Sequence, residues 1–176
     1  DLGLDRIMIY TLDKSSGKLI PLYEKGIYLA PYAGPRHFVF NGTGTMLYVM
    51  GELNSAVTVF RVDRLKGLVE VQTVSSLRDG FEGKSYAADI HIGKSGEFLY
   101  ATNRGENSVV TFRIGADGLL TLSGHSSCGG DWPRNFTIDP SGKFILAGNQ
   151  RSGDISIFRI DRITGIPEQL TQNVKL

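Results

Sequence analysis

A chain of 176 residues with 41% apolar content is long enough to bury a core and too hydrophobic to stay disordered. Its 19 basic and 18 acidic residues leave a formal net charge of +1, which excludes the broad basic surface of a nucleic-acid binder while leaving room for a local basic pocket. No apolar run approaches the ~20 residues that span a bilayer, and the lone Cys128 excludes an intrachain disulfide framework or a multi-cysteine zinc site. No secretory leader is recognisable, and an opening Asp1 is what a processed product or a fragment would show.

In chain order, the first predicted strand is Ile7-Met8-Ile9-Tyr10, followed by a turn at Gly17 and a second strand ending near residue 25. Next comes Pro35-Arg36-His37-Phe38-Val39-Phe40, a polar turn Asn41-Gly42-Thr43-Gly44, an apolar run over 46–50, the strand Val57-Thr58-Val59-Phe60 and a turn at Gly67. The same series recurs as Ala87-Ala88-Asp89-Ile90-His91-Ile92, Gly93-Lys94-Ser95-Gly96, a run over 98–101, Val109-Val110-Thr111-Phe112 and Gly118. It recurs again as Pro133-Arg134-Asn135-Phe136-Thr137-Ile138, Asp139-Pro140-Ser141-Gly142, a run over 144–147, Ile155-Ser156-Ile157-Phe158 and Gly165. The aromatics at 10, 60, 112 and 158 are 50, 52 and 46 residues apart, and the glycines at 17, 67, 118 and 165 are 50, 51 and 47 apart. Two independent landmarks thus share one period.

The repeating unit is strand, Gly turn, strand, loop, strand, Gly turn, strand (A, B, C and D below). Short runs rich in Val, Ile, Phe and Tyr, with Thr58, Thr111 and Ser156 alternating among apolar neighbours, are strands and not helices. A four-stranded antiparallel unit repeated every ~40–50 residues predicts an all-β fold, a β-propeller. Half a blade occupies 1–25 and complete blades occupy about 33–76, 86–126 and 132–172 of a single propeller domain. Three and a half blades do not close a ring of 4–8. The expectation is that the rest of the ring lies outside this chain; the rarer alternative is that a second copy completes it.

Residues just before strand A or just after strand B of a propeller face a common funnel. The first group is Arg36 and His37, Ala88 and Asp89, Arg134 and Asn135; the second is Glu52 and Asn54, Asn103 and Arg104, Asn149 and Gln150. The scaffold repeats while these positions vary in charge, as a site grafted onto a fold does. Guanidinium forks suit carboxylate, phosphate or a developing oxyanion, and a carboxylate or imidazole beside them suits proton transfer. Arg36 and Arg134 read equally well as ties between blades through Glu52 or Asp89. His91 reads as a framework histidine inside strand A, His125 as a solvated D–A loop residue, and Cys128 as an idle thiol. Trp132 reads as blade-junction packing or a stacking surface, and the loop over 78–84 as a lid or a polar connection. Phosphate-loop, dinucleotide, nucleophile-elbow and metalloprotease motifs are absent, and no metal cluster is indicated.

At these residues the sequence resembles the lactonase family of seven-bladed propellers, that of the propeller-type 6-phosphogluconolactonases and the fungal carboxy-cis,cis-muconate cyclase. The matching words are Asp1-Leu2-Gly3-Leu4-Asp5-Arg6, Gly34-Pro35-Arg36-His37, Glu52-Leu53-Asn54-Ser55, Ala88-Asp89-Ile90-His91-Ile92, Asn103-Arg104 with Asn107-Ser108, Pro133-Arg134-Asn135-Phe136 and Gly148-Asn149-Gln150. They run in family order along the whole chain. The resemblance implies hydrolysis of a small anionic sugar lactone, most naturally 6-phosphogluconolactone, with no cofactor and no metal, in a cytoplasmic protein without a nucleic-acid or membrane partner. It implies catalytic roles for Arg36, Glu52 and Arg104 and substrate contacts from His37, Asn54, Asp89, Asn103, Arg134, Asn135 and Gln150. The family histidine lies in a strand A that would precede Asp1, so neither His37 nor His91 inherits its role, and the chain alone is expected to be inactive. A lactonising cyclase and a non-catalytic binding propeller are the alternatives.

Overall fold

Alternation of β-branched and aromatic residues with Thr and Ser suits a pleated surface buried between neighbouring sheets. A computed structural model describes residues 1–22, 26–63, 65–170 and 173–176, and among them there is no helix. The predicted ends of the half blade at Lys25 and of the last blade at Gln172 lie outside the described residues. Seventeen strands follow in order: β1 (Arg6–Ile7), β2 (Tyr10–Asp13), β3 (Lys18–Pro21), β4 (Ile27–Tyr28), β5 (Pro35–Phe40), β6 (Met46–Gly51), β7 (Ala56–Asp63), β8 (Gly67–Ser75), β9 (Tyr86–Ile92), β10 (Phe98–Arg104), β11 (Ser108–Ile114), β12 (Leu120–Ser127), β13 (Pro133–Ile138), β14 (Phe144–Asn149), β15 (Asp154–Ile160), β16 (Pro167–Gln169) and β17 (Val174–Lys175).

Three antiparallel sheets, β5-β6-β7-β8, β9-β10-β11-β12 and β13-β14-β15-β16, are the blades, and β17 extends the outer edge of the third by pairing with β15. The first hairpin is two-stranded, but its strands are broken. β2 pairs with β3, β1 pairs with β4, and Met8 and Ile9 interrupt the run predicted as one strand. The ladder still bridges the interruption through Leu22 N–H donating to the Ile9 carbonyl, 2.8 Å. A second difference is His125. It lies within β12, half-buried, with Nε2 2.9 Å from the Ser76 carbonyl, because strand D runs further toward the next blade than its polar sequence suggested.

The core sits between the sheets. Tyr48, Met50, Val57 and Val59 meet Ile90, Leu99, Val110 and Phe112 across the first interface. Tyr100 and Val109 meet Phe136, Ile145 and Phe158 across the second. Leu29, Leu47, Val49 and Phe60 close onto the first hairpin. Each buried large side chain contributes ~1.5–3 kcal/mol of transfer free energy, so the interfaces bind blade to blade. Outside them, Leu12, Leu19 and Ile20 of the hairpin are exposed. An apolar groove of about 410 Å³ lies beside it, lined by Ile7, Ile9, Phe38, Phe40 and Leu68.

The C–D turns show why glycine recurs. Gly165 has φ +74°, left-handed backbone, and a Cβ there would collide with the Phe98 ring of the neighbouring blade. The Arg113 guanidinium also packs on that ring, 4.6 Å from its centroid. Gly165→Ala is therefore expected to destabilise the whole protein by about 1–3 kcal/mol, read as a lower urea midpoint.

Candidate functional site

Strands β5, β9 and β13 lie side by side at the inner edge. Each carries a register shift at the same point, between Pro35 and His37, between Ala87 and Ile90, and between Pro133 and Asn135. A bulge re-aims side chains that strict alternation would send to opposite faces. This is why Arg36 and its neighbour His37 both reach the same group of residues.

Glu52 is the centre of that group. Its Oε2 accepts from Arg36 Nε at 3.0 Å and its Oε1 from Arg104 Nη2 at 2.9 Å, so one carboxylate joins guanidiniums of two blades. All three side chains are less than a fifth exposed. Arg104 is fixed further by donating to the Tyr86 and Ala87 carbonyls, both at 3.1 Å, and Arg36 by donating to the Ala88 carbonyl. Burial lowers the Arg36 pKa, nearby Arg104 lowers it further, Glu52 acts against this, and Arg134 adds a smaller lowering effect. Two arginines therefore converge on the Glu52 carboxylate.

The second group is a chain of one repeat position across three blades: His37, Asp89 and Asn135. Asp89 is buried. Its Oδ1 accepts from His37 Nδ1 at 2.7 Å and from Ile90 N–H at 3.0 Å. Its Oδ2 accepts from Asn135 Nδ2 at 2.6 Å, Phe136 N–H at 3.1 Å and His91 Nε2 at 3.2 Å. Burial disfavours the charge, but the hydrogen bonds from His91, His37 and Phe136 outweigh it and hold the carboxyl well below the usual carboxylate range. Because an ionised carboxylate only accepts, His37 carries its proton on Nδ1. Nε2 is then the acceptor toward Arg36 Nη1, 3.2 Å away. The two groups are thereby joined through Arg36 and His37.

Other candidates lie elsewhere. Asn103, next to Arg104 on β10, points to the opposite face. It is buried, donates to the Ser76 carbonyl and Ser108 Oγ, and accepts from Ser76 Oγ. Asn149 repeats this in the next blade, donating to Asp154 Oδ1 and Ser156 Oγ, both at 2.9 Å. Asn54 folds over Gly51, the glycine that stands where the other blades have these asparagines, and accepts from Ala56 N–H at 3.2 Å. Arg134 and Gln150 are exposed and pair with each other at 3.2 Å. Among the described residues no group of three or more His, Cys, Asp or Glu is arranged to hold a metal ion. Burial raises the Cys128 pKa, which makes the thiol a poor nucleophile. The loop over 78–84 is tied to β10–β11 by Arg78 N–H donating to Glu106 Oε1, 2.7 Å.

One feature outside the predicted site adjoins it. The Trp132 ring has the Arg151 guanidinium carbon 3.3 Å from its centroid, that of Arg104 at 5.7 Å, and the Tyr86 ring at 5.9 Å. Arg151 follows Gln150 directly, so the rule that picks residues just after strand B reaches it one position later.

Compared with known proteins, residues 1–176 match the family model described as "Lactonase, 7-bladed beta-propeller". The chain is similar to a 6-phosphogluconolactonase of Formosa agariphila, 40% identical over 99% of this chain and 50% of that protein. It is also similar to a 6-phosphogluconolactonase of Bacillus subtilis, 35% identical over 94% of this chain and 47% of that protein. Among solved structures, the Pseudomonas aeruginosa periplasmic gluconolactonase PpgL superposes with TM-score 0.92 at 31% identity, over 100% of this chain and 50% of that one. A Lactobacillus plantarum protein superposes with TM-score 0.92 at 29% identity, over 98% of this chain and 50% of that one. The chain spans about half the length of the curated relatives it matches.

Proposed function

The chain belongs to the lactonase family of seven-bladed β-propellers, and from that membership we propose that the whole protein hydrolyses a sugar lactone, 6-phosphogluconolactone to 6-phosphogluconate, in the funnel around Glu52. The observation that carries this reading is the single carboxylate held between two guanidiniums of adjacent blades. A lactone is a cyclic ester. Water adds to its carbonyl carbon, the carbonyl oxygen becomes an oxyanion, and the ring C–O bond then breaks as the ring oxygen takes a proton. Arg36 and Arg104 are preorganised donors for that oxyanion. Glu52 orients the attacking water, takes its proton and returns it to the ring oxygen.

The half of the ring outside this chain supplies the opposite wall and, by family likeness, a histidine, so the chain alone is inactive in this reading. The compartment follows from the substrate: a phosphate group holds its lactone inside a membrane, which places the enzyme in the cytoplasm. Among the described residues no helix is long and apolar enough to cross a membrane. Lactones of this kind also open without an enzyme, so the test compares acid release from 6-phosphogluconolactone with and without the whole protein. A rate proportional to enzyme concentration is expected; a rate equal to that of buffer overturns the reading.

A further inference from the structure

We propose that Arg151, stacked on Trp132, and Arg134, paired with the adjoining Gln150, form the subsite for the phosphate of a phosphorylated sugar lactone at the funnel mouth and set the preference for it over the unphosphorylated lactone. The inference rests on lactone hydrolysis at Arg36, Glu52 and Arg104.

Charge is the first argument. Arg36 and Arg104 share the Glu52 carboxylate, whereas neither Arg134 nor Arg151 forms an ion pair among the described residues. The partner of Arg134 is the neutral Gln150 Oε1 at 3.2 Å, and that of Arg151 is the face of the Trp132 ring. A guanidinium on an aromatic face has its in-plane N–H groups still directed outward, the edge that meets phosphate oxygens two at a time.

The second argument is that Trp132 is held in place. It has φ +69°, uncommon for a bulky side chain. Its backbone N–H donates to Asn107 Oδ1 at 3.0 Å and its backbone carbonyl accepts from Gln150 N–H at 3.0 Å. Those bonds come from two blades and hold its backbone between them, while the Arg151, Arg104 and Tyr86 side chains lie around its ring.

The third argument is reach. The guanidinium carbons of Arg104 and Arg151 lie 5.7 and 3.3 Å from one ring centroid, so they are no more than about 9 Å apart. A six-carbon sugar phosphate spans such a gap from lactone carbonyl to phosphorus. Arg134 occupies the bulge position that Arg36 has two blades earlier and is therefore re-aimed in the same way.

The test uses the whole protein with 6-phosphogluconolactone and gluconolactone. Arg151→Gln is expected to lower the ratio of kcat/KM for the phosphorylated over the unphosphorylated lactone about tenfold, through KM, as loss of one charge-assisted contact does. Adding Arg134→Gln lowers it further. An unchanged ratio overturns the proposal. A second measurement does not depend on turnover: inorganic phosphate titrated against tryptophan fluorescence, with Trp132→Phe as the blank. A saturable change that Arg151→Gln abolishes is expected; no change in the folded protein overturns the subsite. If neither lactone is turned over while phosphate still perturbs Trp132, the hydrolysis reading fails and the subsite stands. If both are hydrolysed with a ratio indifferent to Arg151, the reverse holds.

Discussion

Glu52→Gln in the whole protein is expected to lower lactonase kcat by roughly a hundredfold or more. The carboxylate presents one oxygen to each of two guanidiniums, at 3.0 and 2.9 Å. Glutamine keeps the shape but replaces one oxygen by an NH2, which must then face either Arg36 Nε or Arg104 Nη2. Both are donors, so one arginine is released whichever way the amide turns. The negative charge that holds two buried guanidiniums together is lost as well, along with the group that would take the proton of water. Glu52→Asp keeps the charge at a shorter reach and is expected to lose less. Steady-state kinetics on 6-phosphogluconolactone decide the matter: an unchanged kcat for Glu52→Gln removes Glu52 from the chemistry.

The fold was legible because its signals repeat. Any one run such as Val57-Thr58-Val59-Phe60 is ambiguous, but four of them in phase with four turn glycines are not, and the sheets carry them as β2, β7, β11 and β15 or their immediate flanks. The interruption at Met8 and Ile9 was not legible, because apolar residues look the same in a continuous strand and in one that switches partners. His125 was misplaced for a related reason. Outer strands are half exposed, so His125, set among Ser and Gly, reads as loop while its backbone pairs with Val110 of β11.

The site was legible only as a neighbourhood. Counting residues before strand A and after strand B found Arg36, Glu52 and Arg104, but it could not separate Arg104 from Asn103. Adjacent strand residues point to opposite faces, and here one enters the ion-pair group while the other is enclosed between blades. The bulge that brings Arg36 and His37 to one side has no glycine within it, although Gly34 precedes it and Gly51 lies opposite Pro35. Nor does sequence show that Arg151 lies on Trp132, a pairing across two separate loops.

Asp89→Asn is expected to destabilise the protein by about 2–4 kcal/mol at neutral pH, because no orientation of the amide satisfies its surroundings. Oδ1 faces the Ile90 N–H and Oδ2 faces the Phe136 N–H, and a backbone N–H only donates. The introduced NH2 therefore opposes a donor on either side, in a buried place where water cannot compensate. Three further donors, His37 Nδ1, His91 Nε2 and Asn135 Nδ2, compete for the one remaining oxygen. The effect also has a pH signature. Folding lowers the Asp89 pKa from its ordinary 3.8, so near and below that value the unfolded chain binds the proton more readily than the native one. The stability contributed by the carboxylate is thus fully present above the unfolded pKa and is lost as pH falls toward the folded one. Urea midpoints of the two proteins should lie furthest apart near pH 7 and approach each other below about pH 4. A gap that stays constant from pH 7 to pH 3 would mean that the charge of Asp89, as distinct from its shape, contributes nothing to the junction of the three inner strands.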